Sequence, residues 1–348
     1  MTNPTILVTG GLGYIGSHTV VELINEGFKV IIIDNLSNSE EFIIDRIEQI
    51  TGVKPVFYNA DLCDEPAVQK IFSSNKTEVV IHFAAFKSVN ESIEKPLLYF
   101  KNNIASLQNV LQAMQNTGVK NLIFSSSATV YGQPAQLPAT EETPFEKPLS
   151  AYGSTKQMGE EILEKCCNAG LLNSICLRYF NPVGAHNSAL IGELPKGVPA
   201  NLFPYVTQTA IGKLNEITVF GTDYDTPDGS CIRDYIHVVD LAKAHVAACK
   251  RILENNITSV YEVFNIGTGN GISVLEIIKS FEKYTQQKLN YKTGNRRSGD
   301  APAVYASTAK ANDILKWKAE LDLQQMIESA WNWELSIAGN KVPGEISS

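Results

Sequence analysis

The sequence predicts an α/β protein with a Rossmann-like doubly wound parallel sheet and a smaller C-terminal α/β lobe. Three observations favour this fold class. Apolar runs alternate with helical segments through the first half, a glycine-rich turn follows the first run, and the chain has 348 residues. Strands that are apolar throughout are typical of parallel sheets, because helices cover both faces. A chain of this length predicts a large core and two lobes.

Six apolar runs are predicted to form the strands of the sheet. In chain order they are TILVTG, KVIIID, PVFYNA, EVVIHFA, NLIFSSS and SICLRYF. Segments such as IGSHTVVELINEG and NIASLQNVLQAMQNTG lie between them, and each ends at glycine, as helices commonly do. The alternation predicts parallel β-α-β units.

The composition changes after Asn181, which predicts a domain boundary. Prolines and glycines are frequent in the next stretch, PVGAHNSALIGELPKGVPANLFP. We therefore predict a first domain at 1–181 and a second at 182–343. The helical segment VVDLAKAHVAACKRILE and the apolar run YEVFNIG suggest that part of 237–265 returns to the first domain.

Charge and composition exclude several classes of protein. The net charge of −8 argues against a broad nucleic-acid surface. Apolar runs are too short to span a membrane, and MTNPTILVTGG does not resemble a secretory signal. The spacing of the six cysteines does not suggest a zinc site, so we expect reduced thiols, no metal and a cytoplasmic location.

The glycine-rich turn predicts a dinucleotide site. Gly10, Gly13 and Gly16 follow the first strand and begin the first helix, where backbone N–H groups can approach a diphosphate. Asp34 ends the second strand and can accept hydrogen bonds from an adenosine ribose. A carboxylate there would repel a 2′-phosphate, which favours NAD over NADP. Asp61 could bind the adenine edge or equally cap a helix.

A tyrosine and a lysine are predicted to share one helix face. Tyr152 and Lys156 are four residues apart in AYGSTKQMGEEILEKC. A nearby ammonium favours the phenolate, and a bound oxidised nicotinamide would add a second positive charge. We therefore expect these two cations together to lower the pKa of Tyr152 and make it a usable base. Ser127 ends the strand NLIFSSS at the carboxyl edge of the sheet, where its hydroxyl could bridge a substrate hydroxyl and the tyrosine. A turn or helix-cap role for this serine stays open.

Several longer motifs resemble those of UDP-glucose 4-epimerases, which are extended short-chain dehydrogenase/reductases. The glycine turn and Tyr-x-x-x-Lys are typical of the whole superfamily. The motifs SSSATVYG and RYFNPVGAH are more specific, and the resemblance extends to about Trp333.

The resemblance implies a role for each catalytic candidate. Tyr152 would be the general base, and Lys156 would hold the nicotinamide ribose and tune the tyrosine. Ser127 would bind the sugar 4-hydroxyl and help to transfer its proton. The C4 hydride would pass to tightly bound NAD and return to the other face of a 4-keto sugar. The first domain would bind NAD, and the second would bind the UDP-sugar.

The resemblance also implies two sets of binding residues. Those for NAD are Gly10, Gly13, Tyr14, Ile15, Gly16, Asp34, Asn35, Ser37, Asn38, Ser39, Asp61, Leu62, Phe83, Ala84, Lys87, Asn102, Ser127, Tyr152, Lys156 and Phe180. Those for the UDP-sugar are Ser127, Tyr152, Asn181, Asn201, Leu202, Val219, Phe220, Arg233, Arg297, Asp300 and Val304. Arg233 and Arg297 can each form bidentate hydrogen bonds to a diphosphate. For either arginine alone, a solvated surface position is the usual alternative. Asp300 could accept from the uridine ribose or pair with an arginine of its own loop.

Three positions depart from the family pattern. Ala85 and Phe86 stand where the family usually has glycine and a smaller aliphatic residue. Val304 stands where members restricted to glucose and galactose forms tend to have tyrosine. The smaller valine suggests that UDP-GlcNAc and UDP-GalNAc are accepted, unless other residues close the pocket.

Other functions on the same fold make different predictions. A 4,6-dehydratase needs an acid and a base after the strand-end hydroxyl, but Ala128, Thr129 and Val130 follow Ser127. A dehydrogenase would release NADH, and a non-catalytic NAD sensor would typically lose the tyrosine or the lysine. The family is usually dimeric, and helices in NIASLQNVLQAM and GSTKQMGEEILEKC are candidates for a homodimer interface.

Overall fold

A seven-stranded parallel sheet forms the centre of the first lobe. The computed structural model describes residues 3–297 and 300–339, so positions 340–343 of the predicted second domain lie outside the described residues. The strands of this sheet are β1 (Thr5–Thr9), β2 (Lys29–Asp34), β3 (Val56–Asn59), β4 (Val79–His82), β5 (Asn121–Ser127), β6 (Asn173–Tyr179) and β10 (Tyr261–Ile266).

The strand order is β3-β2-β1-β4-β5-β6-β10. The chain first builds outward from β1 to β3 and then crosses back to place β4 on the other side of β1. This reversal opens a crevice at the carboxyl ends of β1 and β4, the position at which open α/β sheets bind ligands. The predicted fold class is confirmed.

Helices cover both faces of the sheet. The ten α-helices among the described residues are α1 (Tyr14–Asn25), α2 (Ile43–Thr51), α3 (Glu65–Ser74), α4 (Val89–Glu94), α5 (Pro96–Thr117), α6 (Ala151–Asn168), α7 (Leu202–Ala210), α8 (Val238–Leu253), α9 (Val274–Thr285) and α10 (Leu323–Ile337). In β1, Ile6 and Val8 pack into the core under α1, α2 and α8, whereas Leu7 packs under α3, α5 and α6. This alternation follows from the two-residue period of a strand. None of the described helices is both long and apolar enough to cross a membrane.

The second lobe contains short strands and three helices. Its strands are β7 (Asn181–Val183), β8 (Ile217–Phe220), β9 (Ile232–His237), β11 (Gly271–Ser273), β12 (Tyr291–Gly294) and β13 (Ala303–Val304). Strand β9 pairs with β7, β11 and β13, and β8 pairs with β12. Helices α7, α9 and α10 enclose a separate core that includes Phe203, Phe281 and Ile327.

The chain returns to the first lobe after β9. Helix α8 packs on α1, and β10 pairs in parallel with β6 at the edge of the large sheet. The division at residues 181 and 182 stays a prediction.

Candidate active site

A cleft of about 1300 Å³ lies at the carboxyl edge of the large sheet, between the two lobes. Every residue predicted for NAD contributes to its lining. So do eight of the predicted UDP-sugar residues: Ser127, Tyr152, Asn181, Asn201, Arg233, Arg297, Asp300 and Val304. Residues that are far apart in sequence therefore line one continuous cleft.

The glycine turn packs closely against neighbouring backbone and leaves the N-terminus of α1 open. Gly10 has a φ of +68°, and a Cβ atom there would lie 2.9 Å from the backbone nitrogen of Ala84. A Cβ atom on Gly16 would lie 2.2 Å from the carbonyl oxygen of Gly10. Gly13 precedes α1 and has no side chain to cap it, so the first N–H groups of the helix stay available to an anion.

Asp34 is held rigidly at the end of β2. One carboxylate oxygen accepts from the Leu12 N–H at 3.1 Å, and the other accepts from the Leu36 N–H at 3.0 Å and the Ser39 hydroxyl at 2.7 Å. A carboxylate offers about four acceptor positions, so one remains for a ribose hydroxyl. Asp61 is exposed in the cleft and accepts from the Cys63 N–H at 2.8 Å, while Asp64 caps α3.

Tyr152 and Lys156 occupy the first turns of α6. Ser150 caps this helix by accepting from the Gly153 N–H at 3.1 Å. Lys156 is buried, donates to the carbonyl oxygen of Ser125 at 2.5 Å, and places Nζ 5.8 Å from the centroid of the Tyr152 ring. The predicted placement on one helix face is what the structure has.

Burial dominates the pKa values of these two groups in the chain alone. Burial raises the pKa of Tyr152 to about 12, and the Ser127 hydroxyl lowers it by a smaller amount. Burial also lowers the pKa of Lys156 to about 8. In the chain alone, the cost of removing the phenolate from water is thus the dominant effect on Tyr152. This agrees with the expectation that a bound cationic group contributes to lowering the pKa of Tyr152.

Ser127 ends β5 and begins a short 3-10 turn, Ala128–Tyr131. Its hydroxyl oxygen accepts from the Thr129 N–H at 3.2 Å and from the Thr129 hydroxyl at 3.0 Å. The turn role and the bridging role are thus compatible, because the Ser127 hydrogen is still free to be donated toward a neighbouring acceptor.

A buried polar network behind Lys156 was not predicted. Glu160 follows Lys156 by one helical turn and accepts three hydrogen bonds from Arg178, with the shortest at 2.6 Å. Its carboxylate also accepts from Ser126 and from the Tyr261 hydroxyl. Its negative charge favours the charged form of Lys156. The spacing of Lys156 and Glu160 on one helix face was the available signal in the sequence.

The opposite wall of the cleft contains the predicted cationic groups. Arg233 donates to Asp300 at 3.0 Å and to the carbonyl oxygen of Ala301 at 2.8 Å. Asp300 therefore pairs with an arginine of β9 rather than one of its own loop. The guanidinium of Arg297 lies 4.0 Å from the Phe220 ring centroid and is exposed. Val304 is half-buried in β13, directly opposite Arg233 in the strand pairing.

Three predicted UDP-sugar residues lie outside the lining of the cleft. Leu202 begins α7 and packs against the core of the second lobe, and Val219 is buried in that core. Phe220 lies under Arg297. The four-residue strand β8 must contribute alternate side chains to the core, which removes Val219 from the cleft surface.

Other cleft residues were not predicted from the sequence. Ser125 and Tyr179 line it beneath the tyrosine and lysine, and Glu193 and Lys196 line it from the segment that follows β7. The concentration of glycine and proline in that segment indicated a loop, but not its contacts.

Comparison with known proteins supports these observations. Residues 6–267 match the NAD dependent epimerase/dehydratase family. This chain belongs to that family. It is 49% identical over 336 residues to UDP-glucose 4-epimerase 2 of Arabidopsis thaliana, covering 94% of each chain. It is 49% identical over 330 residues to UDP-glucose 4-epimerase of Haemophilus influenzae, covering 94% of this chain and 97% of that one.

Solved structures give the same result. UDP-glucose 4-epimerase of Bifidobacterium longum, in complex with NAD+ and UDP, has a TM-score of 0.92 at 48% identity and covers 97% of this chain and 99% of that one. The UDP-Glc/GlcNAc 4-epimerase of Campylobacter jejuni has a TM-score of 0.83 at 34% identity, with coverages of 96% and 100%. The resemblance inferred from the sequence is confirmed.

The burial of Lys156 predicts an unusual titration. Because its ammonium has a pKa of about 8 in the structure, Lys156 should lose its charge as the pH rises through about 8, while exposed lysines stay charged to about pH 10. The measurement is a pH titration of the Cε resonances of 13C-labelled lysines. The Lys156→Met variant should lack the early-titrating signal. Finding every lysine to titrate near pH 10 would contradict the assignment.

Proposed function

We propose that this protein is a UDP-glucose 4-epimerase that interconverts UDP-galactose and UDP-glucose with bound NAD. The observation that supports this most strongly is one cleft with two walls. The glycine turn, Asp34, Tyr152 and Lys156 line one wall, and the cationic group Arg233 lines the other. The names of the relatives, at 49% identity over nearly the whole chain, agree with this reaction.

The first wall fits NAD. The diphosphate would lie against the N-terminus of α1, where Gly13 leaves the first N–H groups of the helix without a side-chain cap. Asp34 would hold the adenosine ribose, and Lys156 the nicotinamide ribose. When bound, NAD supplies a hydride acceptor at the nicotinamide and a positive charge next to Tyr152.

The chain's own residues would move the proton and orient the sugar. Tyr152, as phenolate, would take the proton of the sugar 4-hydroxyl, with Ser127 bridging the two oxygens. The charges of Lys156 and of a bound nicotinamide would together lower the pKa that burial raises, which would favour the phenolate of Tyr152 in the loaded site. Arg233 and Arg297 would anchor the UDP diphosphate, which lets the 4-keto sugar turn its other face to the cofactor.

The alternatives fit less well. The residues after Ser127 lack the acid and base that dehydration requires, since they are Ala128, Thr129 and Val130. A non-catalytic sensor would not need the aligned Ser127, Tyr152 and Lys156. A dehydrogenase would release NADH into solution, which the assay below would detect.

Replacing the base tests the proposal. Purified protein without added cofactor should convert UDP-galactose to UDP-glucose, followed by NMR, without accumulating NADH. Tyr152→Phe should lower kcat by about 10²–10⁴-fold, because the general base is lost, while the protein still retains NAD. Lack of any 4-epimer even with NAD added, or full activity of Tyr152→Phe, would refute the assignment.

We further propose that N-acetylated sugars enter the same site. Val304 lines the cleft next to Arg233, its partner in the pairing of β13 with β9. A tyrosine at this position would fill more of the cleft. The similar protein of Campylobacter jejuni is named a UDP-Glc/GlcNAc 4-epimerase, which supports this proposal. Residues that close the pocket elsewhere remain the alternative.

A single enlargement distinguishes these possibilities. Wild-type enzyme should epimerise UDP-GlcNAc as well as UDP-galactose. Val304→Tyr should lower kcat/KM for UDP-GlcNAc by about 10–200-fold and leave that for UDP-galactose nearly unchanged, because a steric change of this size is worth about 1–3 kcal/mol. If pure wild-type enzyme turns over UDP-galactose but not UDP-GlcNAc, the proposal is wrong.

We also propose that the enzyme is a cytoplasmic homodimer. Helices α5 and α6 pack side by side in the outer layer, and they expose the apolar side chains of Leu97 and Met158. Leu97 is 81% exposed and Met158 is 44% exposed, so both side chains are available to a second copy of the chain. All six cysteines are free thiols, as expected in a reducing compartment.

Charge substitution at the apolar layer tests the dimer. Sedimentation equilibrium should give twice the chain mass for wild type. Leu97→Glu with Met158→Glu should shift the species toward monomer, because carboxylates would be buried in the interface. Leu321→Glu, outside this layer, is the control. A wild-type monomer at micromolar concentration would contradict the proposal.

A further inference from the structure

Residues 192–200, which we call the strap, extend from the second lobe along the cleft. Leu194, Pro195 and Val198 of the strap line the cleft together with the glycine turn. Its first residue is fixed, because a Cβ atom on Gly192 would lie 2.5 Å from the Trp333 ring. The Trp333 indole N–H also donates to the carbonyl oxygen of Glu193 at 2.8 Å.

Lys196, in the middle of the strap, contacts the first lobe. Its Nζ donates to the carbonyl oxygens of Leu36 and Ser37, both at 3.2 Å, and lies 3.5 Å from a carboxylate oxygen of Glu40. These residues lie two to six positions after Asp34, beside the proposed adenosine ribose site. The Lys196 ammonium therefore connects the second lobe to the first lobe across the opening of the cleft.

The turn that Lys196 contacts has an unusual backbone. Leu36 has a φ of +58°, a left-handed conformation that leucine rarely adopts. Its N–H donates to Asp34, and its carbonyl accepts from Lys196. Such conformations persist where surrounding contacts hold them, and they concentrate at ligand sites.

Glu193 makes a second contact between the lobes. One of its carboxylate oxygens accepts from Lys87 Nζ at 2.9 Å and from the Asn201 amide at 2.7 Å. Lys87 belongs to the first lobe and is predicted to contact NAD, and Asn201 belongs to the second lobe and is predicted to contact the UDP-sugar. The strap is thus tied to the first lobe at two points.

We propose that Lys196 is a positioning residue that holds the strap closed across the NAD cleft and so sets how slowly NAD leaves. This inference rests on the proposed function. An epimerase returns the hydride to the sugar in each cycle, so NAD need not leave between turnovers. Slow release of NAD therefore does not limit the turnover rate, kcat. Opening the strap requires the Lys196 contacts to the Leu36 and Ser37 carbonyls to break.

The test measures exchange of bound cofactor. Holoenzyme loaded with adenine-labelled NAD is diluted into excess unlabelled NAD, and retained label is followed over time. Lys196→Gln should speed the loss of label by about five- to tenfold, since a charge-assisted contact at a 47% exposed side chain is of modest strength. Lys196→Arg, which keeps the charge, should restore most of the slow exchange.

The matched control is Lys250→Gln. Lys250 is 45% exposed and pairs with Glu26 at 2.6 Å outside the cleft, so this variant has the same change of charge and should exchange NAD at the wild-type rate.

For Lys196→Gln, the exchange rate should change by a larger factor than kcat measured with NAD in excess.

The outcomes separate the inference from the proposed function. If wild-type protein neither retains NAD nor epimerises UDP-galactose, both fail. If wild type does both but Lys196→Gln releases label at the wild-type rate, the strap inference alone is overturned. A fall in kcat/KM for UDP-galactose with unchanged exchange would also overturn it, because Lys196 would then act on the sugar nucleotide.

Discussion

Parallel pairing is the constraint on which the whole site depends. In the seven-stranded sheet all strands point the same way, so their carboxyl ends meet at one edge. Asp34, Ser127 and the glycine turn are each the end of a strand or follow one directly. The reversal of strand order at β1 and β4 separates the helices on the two faces and opens the crevice. Antiparallel strands would have placed these groups at opposite edges.

Burial determines the chemistry within that crevice. Lys156 and Tyr152 are both less stable as ions in the chain alone than in water. Tyr152 therefore stays protonated at neutral pH in the chain alone. A bound cationic cofactor would favour its phenolate, so the base would form next to the substrate. Such a site requires compensation nearby, because an unpaired buried charge is costly. Glu160 of α6 meets this requirement, because its carboxylate accepts hydrogen bonds from side chains on three strands, Ser126, Arg178 and Tyr261.

The same pair supports the geometry of the site. Arg178 on β6 also donates to the Tyr131 hydroxyl, which in turn donates to Asn265 on β10. The turn after Ser127, the helix of Tyr152 and the last strand of the sheet are therefore joined behind the reacting groups. Rigid support of this kind keeps a base within hydrogen-bonding distance of its substrate.

Local patterns in the sequence were sufficient to predict the fold class and much of the cleft. Apolar runs indicate the strands, and the glycine turn and Tyr-x-x-x-Lys can each be recognised from a few consecutive residues. Contacts over long separations were not predictable, such as Lys196 with Leu36, 160 positions apart, because a surface charge gives no signal of its partner. The effect of burial on the pKa of Tyr152 could not be predicted either, since burial depends on the whole fold. The sequence also does not fix which face of a short strand enters the core, so the burial of the Val219 side chain was not predictable.

The late position of β10 in the chain has a consequence for biosynthesis. Strand β6 ends at Tyr179, but its neighbour β10 begins only at Tyr261, and α8 follows β7, β8 and β9 in the chain. A growing chain folds from its N-terminus as it leaves the ribosome. A nascent chain that has just completed β6 therefore presents an unpaired strand edge and an uncovered face of α1, both of which favour association with other chains. Ribosome-bound chains of this length would depend on shielding by chaperones until about 80 more residues have emerged.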